Sequence, residues 1–239
     1  VDTIGDPGND IRLNRRRGQN SYIELWCEAG GMAPMLAQMV RSRDVSVYST
    51  GGFSSVTVTY EVARRVARRD LPTYFLHVGD YDPSGESIFT SMSQDIGAFV
   101  AAEIDGYIYG ATGQVEDSEE RPFFIPQRVA LTEEQVDEFD LPTAPPKASD
   151  SRSANWVGET TQAEAMPPDL LERIVLQEID GLTDQDALRR VRQEEREEKK
   201  RINAAVNDMS VESIIEKRGL HDPTLLDLIE EMRDKDLEG

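Results

Sequence analysis

Apolar residues recur along the first half of the chain in a pattern that predicts strand, helix, strand, helix, strand, helix. Residues 22–27 (Y-I-E-L-W-C) read as a short strand ending at Glu28. Gly30 and Gly31 make a turn, and 32–42 (MAPMLAQMVRS) look helical. A second strand, 45–50 (V-S-V-Y-S-T), stops at Gly51-Gly52. Val58, Val62 and Val66 then fall at helical spacing within a helix expected over 54–69. The third strand, 73–79 (T-Y-F-L-H-V-G), runs into Asp80-Tyr81-Asp82-Pro83-Ser84-Gly85, and a helix over 84–100 follows. Short connections between alternating strands and helices argue for a parallel sheet with helices on both faces.

The pattern loosens afterwards. Residues 101–122 form an acidic, glycine-containing excursion, a loop or a hairpin around Tyr107–Tyr109. Residues 123–131 (FFIPQRVAL) give a fourth strand, and Thr132 is a good N-cap for a helix with Glu133, Glu134 and Gln135 in its first turn. Residues 141–155 are extended and proline-rich, and 167–180 form an amphipathic helix started by proline. One or two long helices are expected over 184–217, with RQEEREEKKR charged all round and solvated, and Glu195→Lys199 and Glu197→Arg201 paired at i,i+4. A short amphipathic helix over 223–233 is placed to dock back or to form a homodimer. The expected organisation is an irregular lead-in (1–20), an α/β domain (21–180) and a helical acidic tail (181–239).

Composition narrows the function classes. The 239 residues carry 26 basic and 46 acidic side chains, a net charge of −20. Ten arginines face eight acids in residues 1–70, whereas 16 basic and 38 acidic residues follow. An acidic chain is repelled by nucleic acid as a whole, so a phosphate-binding surface is expected on the arginine-bearing first third, at Arg15, Arg16, Arg17, Arg64 and Arg65. No apolar run approaches the ~20 residues that span a bilayer, and no membrane partner is expected. The single cysteine, Cys27, excludes an internal disulfide and a multi-cysteine zinc site, and fits a reducing cytoplasm. His77, inside a strand, reads as a core histidine, and Trp26 and Trp156 as packing anchors.

The candidate chemistry lies at three strand ends: Glu28, Gly51-Gly52-Phe53-Ser54-Ser55, and Asp80-Tyr81-Asp82. In an open parallel sheet, ligands sit beyond the carboxyl ends of the strands. One Glu and two Asp are hard oxygen donors suited to Mg²⁺ or Mn²⁺. Alternate residues of an extended D-x-D point the same way, so Asp80 and Asp82 can share one ion. Gly79 and Gly85 permit a tight backbone, Pro83 ends the strand, and Ser84 can cap the next helix.

A strand-end Glu followed some fifty residues later by a strand running into D-x-D-P-x-G resembles the Toprim domain. The subtype resembles that of the A subunit of type IIB DNA topoisomerases (topoisomerase VI) and the related meiotic transesterase. The segments carrying this are E-L-W-C-E-A (24–29), S-T-G-G-F-S-S (49–55) and F-L-H-V-G-D-Y-D-P-S-G (75–85). Residues 130–135, 141–152 and 163–168 are similar to a group of bacterial and phage Toprim proteins. The resemblance implies a four-stranded parallel sheet between helices, with Glu28, Asp80 and Asp82 as catalytic and metal-binding residues that assist DNA phosphodiester transesterification or hydrolysis. Within the proline-rich stretch, Lys147 and Arg152 are candidate phosphate contacts beside Ser54 and Ser55, and Glu164 is a candidate outer carboxylate for the metal. Two departures stand out. Ala29 occupies a position that is often Lys in these relatives, and only about twenty residues precede the first strand, too few for the domain that carries the type IIB tyrosine. Tyr81 is expected to pack or hydrogen-bond instead. The expected function is therefore Mg²⁺-dependent DNA processing together with a DNA-binding domain or partner subunit. The alternatives are a self-sufficient Toprim nuclease using metal-activated water, a non-enzymatic metal-binding or assembly module, and, least favoured, a D-x-D phosphatase.

Overall fold

The computed structural model describes residues 11–51, 56–104, 123–147 and 149–208. The chain divides into two compact units, residues 18–185 and residues 1–17 with 186–239. Expectations for 107–109, 223–233, Ser54 and Ser55 fall outside the described residues.

The larger unit is α/β, with a four-stranded parallel sheet between helices. Its strands are β1 (Tyr22–Cys27), β2 (Ser46–Ser49), β3 (Thr73–Val78) and β4 (Phe124–Ala130). They lie in the order β2-β1-β3-β4, and every neighbouring pair is parallel. The connecting helices are α1 (Ala33–Val40), α2 (Val56–Ala67) and α3 (Pro83–Ile104). After β4 come α4 (Glu133–Glu138) and α5 (Pro168–Gly181). The N-cap expected at Thr132 is a full capping box: its hydroxyl accepts from the Gln135 amide, and the Gln135 side chain accepts from the Thr132 amide.

Right-handed crossovers explain how the core divides. The chain steps one way from β1 to β2 and back across β1 to β3, so α1 and α2 must cover opposite faces. Alternate strand residues follow suit. Leu25, Cys27, Leu76 and Val78 are buried with Leu36 of α1 and Leu171, Val175 and Ile179 of α5. Trp26 and Phe75 are buried with Val62, Ala63 and Val66 of α2 and with Met92, Ile96 and Val100 of α3.

Glu24 points to that second face and is 1% exposed. Burial of a lone carboxylate is costly, and this one is saturated. Arg65 donates to it at 3.0 and 2.9 Å, Arg69 at 2.6 Å and the Trp26 indole at 3.1 Å. Arg65 also lies over the Tyr48 ring.

In the smaller unit, α6 runs from Gln185 to Asp208. The expectation of an all-round solvated helix fails at one residue. Ala187, Leu188 and Val191 are buried, and Glu195 continues that stripe four residues on. Arg15 meets the Glu195 carboxylate with two hydrogen bonds, at 2.6 and 2.9 Å, and the Leu13 amide adds a third at 2.9 Å. These hold the Glu195 carboxyl down to about 2. Lys199 pairs with Glu195 as expected, but Arg201 pairs with Glu198 instead of Glu197. Leu13 and Arg15 are thus tied to α6 within the smaller unit.

Candidate functional site

The strand order reverses between β1 and β3, which marks the switch point where open parallel sheets bind ligands. Glu28 and Asp80 leave the sheet there. The Glu28 amide donates to the Val78 carbonyl at 2.9 Å, and the Asp80 amide donates to Glu28 Oε2 at 3.3 Å. Gly51 joins the same edge beside Glu28. All three strand ends therefore meet as expected.

Gly79 and Gly85 are required by space. Neither has the positive φ that would demand glycine. A Cβ at Gly79 would lie 2.6 Å from His77 Cε1 and 2.9 Å from Glu28 Oε2. A Cβ at Gly85 would fall on the Asp80 carbonyl oxygen and 3.0 Å from Glu28 Oε2. The Glu28 carboxylate thus reaches between two glycines, against the backbone at the start of α3.

The D-x-D aspartates are each engaged by backbone. Asp82 Oδ1 accepts from the Gly85 amide at 2.7 Å, so Asp82, and not Ser84, caps α3. Ser84 follows Pro83, already inside the helix. Asp80 Oδ1 accepts from the Ala163 amide at 2.8 Å. That bond depends on the proline-rich segment folding back over the loop. Tyr81 and Thr161 exchange backbone hydrogen bonds at 2.9 Å each, and Ala144 and Thr160 pair alongside. The Tyr81 ring packs edge-on against Trp156, 5.0 Å between centroids. Burial, then the charges of Glu133 and Glu86, push the Tyr81 phenol up, which opposes a phenolate nucleophile.

The sequence reading missed the site's cation. Arg128 of β4 sits beside His77 in register, and its side chain is 9% exposed. Its guanidinium donates to the carbonyls of Leu131 (2.7 Å), Gly79 (3.2 Å) and Asp80, and pairs with Glu86 at 3.1 Å. The available signal was an arginine within an apolar strand, since a buried arginine must be partnered. His77 is fully buried, stacked on Phe89 at 5.0 Å, and neither ring nitrogen has a hydrogen-bond partner among the described residues. Burial, aided by the Arg128 charge, holds it neutral, down to about 3.

Charge is unbalanced around Arg128, which faces Glu28, Asp80, Asp82 and Glu86. Burial raises the Glu28 carboxyl, with further upward pressure from Asp80 and Asp82. Burial likewise raises Asp80, with Asp82 and Glu164 adding to the rise and Lys147 opposing it. Glu164 and Lys147 are therefore within electrostatic reach of the aspartate, on a segment more than sixty residues away in sequence. Oxygen donors of this kind suit a hard divalent cation that keeps part of its water. No group of three His, Cys, Asp or Glu side chains among the described residues forms a ready-made ligand set. Backbone amides hold one oxygen of each aspartate.

The remaining predicted phosphate contacts are scattered. Arg65 is committed to Glu24, Arg15 to Glu195, and Arg17 pairs with Glu194 at 2.8 Å. Arg16 is half-buried, and burial lowers its guanidinium. Arg64 lies 3.7 Å from Glu61 on α2. Arg152, 3.6 Å from Asp150, lines a cleft of about 430 Å³ with Glu28, and Lys147 lines another of about 360 Å³ with Asp82. The cations near the acids thus come from the proline-rich segment and from β4.

No family model matches the chain, and neither the curated proteins nor the solved structures contain a match. No helix among the described residues is long and apolar enough to cross a membrane.

Proposed function

We propose that this chain carries a Toprim-like site that binds Mg²⁺ or Mn²⁺ and acts on a DNA phosphodiester, together with a DNA-binding or tyrosine-bearing domain or partner. The observation that carries this reading is the crowding of Glu28, Asp80 and Asp82 at the switch point, with Glu28 and Asp80 both raised by burial and by neighbouring acids. Such crowding destabilises the fold at neutral pH unless a cation offsets it. A bound divalent ion would supply Lewis-acid stabilisation of charge on phosphate oxygens. Glu28, Asp80 and Asp82 would hold it, with Glu164 further out. Arg128 positions the loop by clamping two of its carbonyls, and it provides a cation where Ala29 has none.

The test couples nicking of supercoiled plasmid to thermal unfolding. Parent protein should nick with Mg²⁺ or Mn²⁺ once combined with its DNA-binding partner, and Glu28→Gln should not. In the parent alone, millimolar Mg²⁺ should raise Tm by linkage. A folded-state carboxyl raised above its unfolded value makes stability fall as pH rises through the two values. Glu28→Gln should therefore raise metal-free Tm at neutral pH, leave it unchanged in acid, and abolish the Mg²⁺ response. A parent Tm indifferent to both ions would refute the metal site.

A further inference from the structure

The cleft beside Glu28 extends well past the acidic residues. Ser87, Ser91 and Asp95 recur every four residues on α3, so they line one wall over roughly 12 Å at ~1.5 Å per residue. Thr50 and Thr59, both buried, line it from the end of β2 and from α2, the Thr50 hydroxyl donating to the Cys27 carbonyl at 3.3 Å, and buried Met92 adds an apolar surface. Arg152 stands at the same cleft with its side chain 51% exposed. The volume of about 430 Å³ falls in the ~300–1,000 Å³ range of small-molecule sites.

The chemistry is ordered along α3. Glu28 lies by the first turn, hydroxyls and an apolar side chain follow, and an exposed carboxylate, Asp95, marks the far end. A nucleotide has the matching order of phosphate, sugar and base. We infer that this cleft seats one nucleotide of a single-stranded nucleic acid, its phosphate toward Glu28 and Arg152 and its base toward Asp95, with preference for bases that carry an exocyclic amino group. The inference rests on the phosphodiester reading above, because that reading brings the phosphate to Glu28. A carboxylate only accepts hydrogen bonds. Cytosine N4 and adenine N6 donate, whereas thymine offers O4, an acceptor that Asp95 would repel. A base still paired and stacked in a duplex cannot enter such a recess. The acids of the cleft make binding depend on a divalent cation that neutralises them.

The test uses the full chain with Ca²⁺ in place of Mg²⁺, and fluorescein-labelled oligo(dC) and oligo(dT) at mildly alkaline pH, read by anisotropy. Oligo(dC) should bind about tenfold more tightly than oligo(dT), as expected for one well-made contact to the amino group. Asp95→Asn, whose carboxamide can also donate to thymine O4, should shrink that ratio to about twofold or less. Ser91→Leu, at an exposed helix position, should crowd the cleft without offering a stacking face and weaken both oligonucleotides by at least about tenfold. Equal binding of the two oligonucleotides, an unchanged ratio in Asp95→Asn, or full affinity in Ser91→Leu would each overturn the inference. The Ca²⁺ shift of Tm separates the two readings. A shift retained while the cleft variants bind like the parent overturns the nucleotide cleft alone. Cleft effects without a shift support the base contact at Asp95 and overturn the cation dependence and the placing of the phosphate at Glu28. A parent that binds neither oligonucleotide overturns the cleft outright.

Discussion

Gly85→Ala tests whether space at the start of α3 dictates the site, because two effects predict opposite signs. Gly85 lies in the first turn of a 22-residue helix. Helix propensity alone would make alanine better by up to about 1 kcal/mol. The added Cβ would, however, land on the Asp80 carbonyl oxygen, 3.2 Å from the Asp80 carbonyl carbon and 3.0 Å from Glu28 Oε2. The carboxylate can rotate aside, but the Asp80 backbone is held by Arg128 and by the Glu28 contact. Overpacking against a backbone that cannot yield costs about 1–3 kcal/mol, so the net expectation is a loss of roughly 1–2 kcal/mol. Gly97→Ala is the control in the same helix, since among the described residues its Cβ would meet only Phe124 Cδ1, at 3.9 Å. That variant should gain about 0.5–1 kcal/mol. Urea unfolding followed by circular dichroism measures both. Displacement of Asp80 should also blunt the Mg²⁺ shift of Tm. A Gly85→Ala protein as stable as the parent, with Gly97→Ala unchanged or worse, would refute the steric account.

Other perturbations probe the charges buried around the sheet and along α6. Glu24→Gln should cost about 3 kcal/mol in the same urea assay, because Arg65 and Arg69 would lose their carboxylate while partly buried; a loss below about 1 kcal/mol would show that solvent replaces it. His77→Leu removes two buried nitrogens that have no hydrogen-bond partner among the described residues, so stability at neutral pH should hold or rise by about 1 kcal/mol. The neutral histidine contributes stability that is complete above its ordinary value of 6.5 and is lost as pH falls toward about 3, and the leucine variant should flatten a Tm-versus-pH curve over that window. Arg15→Ala should destabilise α6 by about 2–3 kcal/mol, seen as early loss of helicity on heating. The Glu195 carboxyl lies below its ordinary 4.5, so its contribution is present above that pH and is lost as pH falls toward about 2; the alanine variant should lose that dependence.

Local order was legible wherever it follows from neighbouring residues. Period-two and period-four apolar patterns identified the four strands and helices α1, α2, α3 and α5 to within a few residues, because the pattern is the record of which face is buried. Thr132 was readable as a cap because its partner is three residues away. Asp82 was misread in favour of Ser84, although the same local rule applies to both, because the first helical residue turned out to be Pro83.

What sequence alone determined about this protein is therefore its alternating strands and helices, the parallel sheet they imply, and the convergence of Glu28, Gly51 and Asp80 on one edge. Parallel strands joined by right-handed crossovers leave few other arrangements. Lys147 and Arg152 were already candidates by resemblance, but only the tertiary structure brought Arg128 to those acids and took Arg65 and Arg15 away from them. Arg128 arrives from β4, and Lys147 and Arg152 arrive on a segment stitched to Tyr81 through Thr161. Arg65 and Arg15, equally basic on paper, are instead consumed by Glu24 and Glu195. The physical reason is that periodicity records burial along one element, whereas an ion pair depends on the distance between two elements far apart in the chain. Residues separated by 41 positions, as Arg65 and Glu24 are, or by 180, as Arg15 and Glu195 are, carry no local trace of their pairing.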